Sequence, residues 1–302
     1  MEKRYATIDI GTNTILMLIA EKDEKSGVKI IRDEHSLARL GEGIGLDNRK
    51  IVTEAKERAV KILQNYRRIC DEMNVAEIFA VATSAMRDAE NREEIKTEFS
   101  SILNSNIEII TGEQEAKFSF TGAVEDNRDS VVIDIGGGST ELIFGNISRI
   151  NSRYSLQTGA VRLTEKYLSK HPPTVEDINN ADRQIKEELL KISTVKHFDN
   201  VYAVAGTPTT LAGIILNLKE FDRQYIQGFK LNLSDIKKIL KSFCKMSIED
   251  IINIYHVNPS RADVITAGTI ILVNVLEKIK SDYCIASTKG LRYGMMKYLL
   301  SK

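Results

Sequence analysis

The sequence predicts an α/β protein built from one domain design used twice, with a cleft between the copies. Three observations carry this expectation. Residues 5–20 and 130–145 follow one plan: an apolar strand, Asp-Ile-Gly, a small polar turn and a second apolar strand. Asp9 and Asp134 occupy the matching positions. A second landmark follows each hairpin at nearly the same distance, IFAVATSA at 78–85 and VYAVAGTP at 201–208. Between the landmarks, strand-like runs alternate with segments of helical period, the pattern of sheets covered by helices. The chain of 302 residues is long enough for two domains. The boundary is expected in the polar stretch 125–129, giving domains of 1–124 and 125–302, with the last helix packing back toward the first.

The elements follow in order. The first hairpin spans residues 5–20. Residues 53–73 place Ala59, Ile62, Leu63, Tyr66, Ile69, Cys70 and Met73 at helical spacing. Residues 41–45, Gly-Glu-Gly-Ile-Gly, lack the strand and helix of a dinucleotide fingerprint and read as a flexible turn. A strand at 107–111 is ended by Gly112, with a helix beginning near Glu113. The second hairpin spans 130–145. Thr174 with Asp177 forms a capping box opening a helix to about Ile192. Further helices open at Pro208, at Ser234 (to about Lys245), at 260–263 (to about Ile279) and near Leu291. On the Ser234 helix, Lys237, Lys241 and Lys245 share the face opposite Ile236, Ile239, Leu240 and Phe243; it reads as a solvated lysine face, or as a track for a polyanion.

Composition narrows the function. There are 42 basic and 42 acidic residues, which argues against a generic nucleic-acid binder. The balance hides two unequal parts. Residues 1–125 hold 18 Lys+Arg and 23 Asp+Glu, and the remainder holds 24 and 19. Steering charge would therefore lie on the second half. Three cysteines without a CxxC spacing and four scattered histidines (His35, His171, His197, His256) argue against a disulfide scaffold or a cysteine-based zinc site. No apolar run is long enough for a bilayer span or a signal-peptide core. The expectation is a cytoplasmic chain with no membrane or nucleic-acid partner.

The turns suggest phosphate chemistry. In Gly136-Gly137-Gly138-Ser139-Thr140 the glycines permit close approach, and the N–H groups with two hydroxyls can cradle phosphate oxygens. The turn containing Thr12 and Asn13 offers the same from the other copy. Gly206 and Thr207 form the strand-to-helix turn of the second copy, where a helix N-terminus can meet an anion. The chain has no GxxxxGK[ST], so a P-loop is excluded. Asp134 ends a strand beside the glycine turn and Glu141 follows it. Hard oxygen ligands next to a phosphate suit Mg²⁺, or Mn²⁺ in its place. Arg87 can hold a phosphate bidentately or stand on the surface. Spacing leaves Glu115 open between an exposed helix-start glutamate and a general base.

The stretches IDIGTNT (8–14), VATSAMRDAEN (81–91), IITGEQEA (109–116), VIDIGGGSTE (132–141), GAVRLTEKYL (159–168), AGTPTTL (205–211), RADVITAG (261–268) and GLRYG (290–294) resemble the exopolyphosphatase/guanosine-pentaphosphate phosphohydrolase (Ppx/GppA) family, in order along nearly the whole chain. The resemblance implies two actin-like (ribonuclease H-like) domains and hydrolysis of a terminal phosphoanhydride by water. It places Glu115 on the family's catalytic glutamate and Arg87 on a phosphate-contacting arginine. Asp134 and Glu141 fall on acidic residues near the metal. Thr12, Asn13, Gly137, Gly138, Ser139, Gly206 and Thr207 fall on phosphate-loop positions. Leu16, Tyr293 and Gln227 depart from residues common in relatives, basic, glutamate and histidine respectively. The chain resembles the short members without C-terminal helical domains.

The expected activity is metal-dependent removal of the terminal phosphate of inorganic polyphosphate, with release of orthophosphate. Guanosine pentaphosphate is the alternative substrate, and guanosine penta- or tetraphosphate an alternative ligand. From other classes come a non-catalytic alarmone or polyphosphate sensor and an ATP-dependent kinase of the same fold. A homodimer is among the expected assemblies.

Overall fold

A computed structural model describes residues 3–23, 27–44, 49–192 and 198–302. Gly45 of the glycine-rich turn and His197 lie outside the described residues. The chain divides into two compact units, Met1–Gly122 with Leu291–Lys302, and Ala123–Gly290.

The first unit is built on strands β1 (Arg4–Ile10), β2 (Thr14–Asp23) and β3 (Gly27–Leu37), helix α1 (Thr53–Glu72), strand β4 (Val75–Ala82), helices α2 (Ser84–Asp88) and α3 (Arg92–Leu103), strand β5 (Ile107–Ile109) and helix α4 (Gly112–Ala123). The sheet order is β3-β2-β1-β4-β5, antiparallel through β1–β3 and parallel from β1 to β5. Strand alternation decides what covers each face. Ala6, Ile8 and Ile10, with Ile15, Met17 and Ile19, form one buried face. Helix α1 meets it with Ala55, Ala59, Leu63, Tyr66, Ile69 and Cys70, an apolar stripe of spacing three and four. On the other face, Leu18 and Ala20 bury against Tyr293 and Met296, while Val81 and Ile110 bury against Leu291 and Met295.

The second unit runs β6 (Ser130–Ile135), β7 (Thr140–Asn146), β8 (Arg149–Leu156), α5 (Ala160–Tyr167), α6 (Val175–Leu189), β9 (Asn200–Val204), α7 (Gly206–Ile215), α8 (Arg223–Ile226), β10 (Lys230–Asn232), α9 (Leu233–Phe243), α10 (Ile248–Tyr255), α11 (Pro259–Ala262), α12 (Ile265–Lys278) and β11 (Tyr283–Ala286). The closing helix α13 (Leu291–Leu300) belongs to the first unit. The sheet order is β10-β11-β9-β6-β7-β8. Read from the β8 edge, its first five strands repeat the order and directions of the first sheet, and β10 is an added antiparallel edge. Both units thus carry the actin-like topology. The duplication extends to register: Asp9 stands opposite Leu16, and Asp134 opposite Glu141.

Several expected element boundaries shift. The 260–279 helix is two pieces, α11 and α12, because the Val264 amide bonds back to the Arg261 carbonyl at 3.1 Å, a tighter i→i+3 closure. Strand β5 ends at Ile109, and α4 starts at Gly112 because Thr111 and Gln114 cap each other's backbone N–H at 2.9 and 3.2 Å. Helix α7 begins at Gly206, ahead of Pro208. The Thr174/Asp177 capping box is present, and α6 ends at Leu189. Helix α9 ends at Phe243, short of Lys245; on it Ile236, Ile239 and Phe243 are buried while Lys237 and Lys241 are exposed, as is Lys245 in the turn beyond. Lys237 pairs with Glu277 at 2.6 Å. Among the described residues no helix is long and apolar enough to cross a membrane.

Candidate active site

In each unit the parallel strands deliver their C-terminal ends to one edge of the sheet, where α/β folds commonly hold ligands. In the first unit Ile10 registers with Ala82, and Ala82 with Ile109. The Gly11 turn, the start of α2 and the approach to α4 therefore lie side by side. In the second unit Asp134 registers with Val204, so the glycine turn and the start of α7 are neighbours.

The two hairpin turns are built alike. The Gly11 amide donates to the Thr14 carbonyl at 3.0 Å, and the Gly136 amide to the Ser139 carbonyl at 2.9 Å. A Cβ at Gly11 would sit 2.9 Å from that carbonyl oxygen, closer than a side chain can come, and one at Gly136 would make a tight contact of 3.1 Å with its own. The turn carbonyls are occupied from behind. Those of Thr12 and Asn13 accept from Gly41, Ala38 and Arg39, and those of Gly136 and Gly137 accept from the first amides of α5. Gly41, the first residue of the turn expected to be flexible over 41–45, thus backs the first hairpin. With their carbonyls engaged behind them, the turns are suited to offering N–H groups to an anion.

Arg87 and Glu115, from α2 and the first turn of α4, come together. Arg87 Nη1 donates to Glu115 Oε2 and to the Ile110 carbonyl, both at 2.9 Å. The carboxylate is mostly buried, and the guanidinium and the Thr111/Gln114 box fix its direction. Thr12 is buried and its hydroxyl lies 2.7 Å from that of Ser84; Asn13 is half-buried beside it. Ser84 went unrecognised in the sequence, where it reads as an ordinary helix-start serine.

In the second unit Asp134 and Glu141 are directly opposed, which sets both side chains on one face of the hairpin. Glu141 is 2% exposed, and Oε1 accepts from the Ser155 hydroxyl at 3.0 Å. Gly138 and Ser139 are buried, with Gly137 half-buried. Thr140 donates its hydroxyl to the Thr158 carbonyl at 2.7 Å. Gly206 is packed under the Arg261 guanidinium, and Thr207 against Gly268. Among the described residues no group of three or more His, Cys, Asp or Glu could hold a metal ion. Two opposed carboxylates are nonetheless a fitting donor set for Mg²⁺, which takes one or two carboxylates and completes its shell with water and phosphate oxygens. Burial pushes the thiol of Cys70 up to about 11 and that of Cys284 up to about 12, so neither is a nucleophile at neutral pH.

The chain enters α7 through Ala205, at φ 72° and ψ −161°, a conformation essentially confined to glycine and costing about 1–3 kcal/mol otherwise. Ala205→Gly removes that strain, against about 0.4–1 kcal/mol of added unfolded-state entropy. A net gain of about 1 kcal/mol in urea unfolding is expected. A loss of stability would show that the turn is not strained.

Two departures noted in the sequence have structural accounts. Tyr293 is buried against Leu18, and its hydroxyl lies 3.4 Å from Asp33 Oδ2. Gln227 Oε1 accepts from both the amide and hydroxyl of Thr288 at 2.8 Å, holding the segment that leads toward α13.

Two units of one sheet topology, each with a glycine turn at the C-terminal end of its parallel strands and a carboxylate near that turn, suit a phosphoryl-handling class of protein. The Ppx/GppA phosphatase family model matches residues 18–302, and the chain belongs to this family. Exopolyphosphatase 2 of Mycobacterium tuberculosis is 31% identical over 292 residues, covering 92% of this chain and 91% of that protein. The bifunctional 3-dehydroquinate synthase/phosphatase of Fusobacterium nucleatum is 34% identical over 297 residues, or 93% of this chain; the match spans only 44% of that longer protein. The solved Ppx/GppA family member from Aquifex aeolicus is similar with a TM-score of 0.85 and 30% identity, covering 100% of this chain and 98% of that one.

Proposed function

We propose that the chain is an exopolyphosphatase, hydrolysing the terminal phosphoanhydride of inorganic polyphosphate to release orthophosphate. The observation that carries this reading is the Arg87–Glu115 pair, 2.9 Å apart at the same sheet edge as the Thr12–Asn13 turn. A carboxylate held in one orientation is suited to position a water and take its proton. In the first unit Arg87 and the Thr12 hydroxyl, and in the second the amides of the glycine turn and the Ser139 hydroxyl, are the donors assigned to phosphate oxygens, where phosphoryl transfer needs charge stabilised. Asp134 and Glu141 are the residues assigned to Mg²⁺; when bound, the ion would neutralise charge on the phosphate oxygens. Leu16, directly opposite Asp9, puts an apolar side chain where many relatives have a cation for an alarmone phosphate. This supports polyphosphate over guanosine pentaphosphate.

The test is orthophosphate release by the purified protein with Mg²⁺ or Mn²⁺, comparing kcat/KM for long polyphosphate and guanosine pentaphosphate. Higher kcat/KM on polyphosphate is expected. No release from polyphosphate under either metal would overturn the proposal.

A further inference from the structure

We infer that Ser84 is a positioning residue for phosphate binding, acting through Thr12; this rests on the exopolyphosphatase reading. The two hydroxyl oxygens are 2.7 Å apart, Thr12 and Ser84 are 8% and 7% exposed, and the residues come from different elements, the first hairpin turn and the start of α2. Thr12 is held on its other sides too. Its carbonyl accepts from the Gly41 amide at 2.9 Å. Its methyl lies where a Gly41 side chain would be, 2.2 Å from an ideal Cβ. The Thr83 amide, next to Ser84, donates to the Ile10 carbonyl at 3.2 Å and ties α2 to the hairpin. Thr12 is therefore seated from three directions, and Ser84 is the side-chain partner of its hydroxyl.

Hydrogen-bond polarity gives this seating a function. A hydroxyl carries one proton and two acceptor lone pairs. A terminal phosphate in its dianionic form offers only acceptors, so a hydroxyl that bonds to it must donate. Within a pair of hydroxyls only one donates to the other. When Thr12 donates to phosphate, Ser84 must donate to Thr12. Ser84 thus fixes both the rotamer and the donor direction of Thr12, which no backbone contact of Thr12 can do.

The experiment is steady-state kinetics on polyphosphate for Ser84→Ala, Ser84→Cys, Thr12→Val and the double variant Ser84→Ala/Thr12→Val, with thermal melts of each. Losing one neutral hydrogen bond predicts that Ser84→Ala raises KM about fivefold with kcat within about twofold. Ser84→Cys keeps the side-chain volume but offers only a weak donor, so KM shifts in the same direction even should the alanine variant fold poorly. In the Thr12→Val background, Ser84→Ala adds nothing further. An unchanged KM in Ser84→Cys, or an undiminished Ser84→Ala effect without the Thr12 hydroxyl, overturns the assignment. A wild-type protein that releases no phosphate would instead remove the exopolyphosphatase reading itself.

Discussion

Glu115→Gln is expected to lower kcat for orthophosphate release by about 10²–10⁴-fold, the usual contribution of a general base, while leaving KM nearly unchanged. The substitution is close to isosteric, and its amide oxygen still accepts from Arg87 Nη1, which now bonds the carboxylate at 2.9 Å. Arg87 also remains fixed by the Ile110 carbonyl. The glutamine differs in having no basic oxygen to take a proton from water. A loss confined to kcat is the signature of an interaction made in the transition state rather than in the bound substrate. Turnover within about threefold of wild type would remove Glu115 from the chemistry, since a general base contributes at least about 10²-fold. A large rise in KM at constant kcat would recast it as a residue that only holds Arg87 in place.

The duplication was legible because it is written locally. Asp-Ile-Gly and the small residues after it specify a hairpin turn within a few positions, and the same string occurs twice. The structure adds that the copies share register, so that Leu16 is the counterpart of Glu141 and His35 that of Ser155 in the rows Asp9–Leu16–His35 and Asp134–Glu141–Ser155. The second row carries two carboxylates where the first has one, a chemical asymmetry laid on a common backbone. The start of α4 was also within reach, because Thr111 and Gln114 have the spacing of a capping box.

What stayed hidden depends on residues far apart in sequence. Ser84 lies 72 positions from Thr12, and no periodicity announces that two hydroxyls will meet. Gly41 looked like slack because a glycine that loosens a loop and one that lets another residue pack close read the same until the neighbour is known. The pairing of Arg87 with Glu115 follows from strand order, which sets β4 and β5 next to each other. Residue type at each position was readable; partnership was not.

The second large effect expected concerns stability. Arg292, on α13, forks onto Asp33 of β3, with Nε and Nη2 at 3.0 and 3.1 Å from the two carboxylate oxygens. Nη2 also lies 3.1 Å from His35 Nε2, and the Arg292 carbonyl accepts from the Thr7 hydroxyl at 3.0 Å. The two side chains are 7% and 12% exposed. Truncating one partner of such a pair strands the other charge in a poorly solvated place, at about 3–5 kcal/mol. Arg292→Met should therefore lower the urea-unfolding free energy by about that amount, a large fraction of the usual stability of a domain. Arg292→Lys should fall between, because an ammonium cannot reproduce the two-pronged bond. The companion Arg292→Met/Asp33→Leu removes both charges and should recover most of the loss, since an apolar pair of similar volume is often no worse than a buried ion pair. That recovery separates two roles for the bridge. Should the double variant be as unstable as Arg292→Met alone, the fork is needed to dock α13 on the sheet. Should it recover, the burial of Leu18, Tyr293 and Met296 holds α13 in place, and the ion pair chiefly satisfies two charges that the fold has buried.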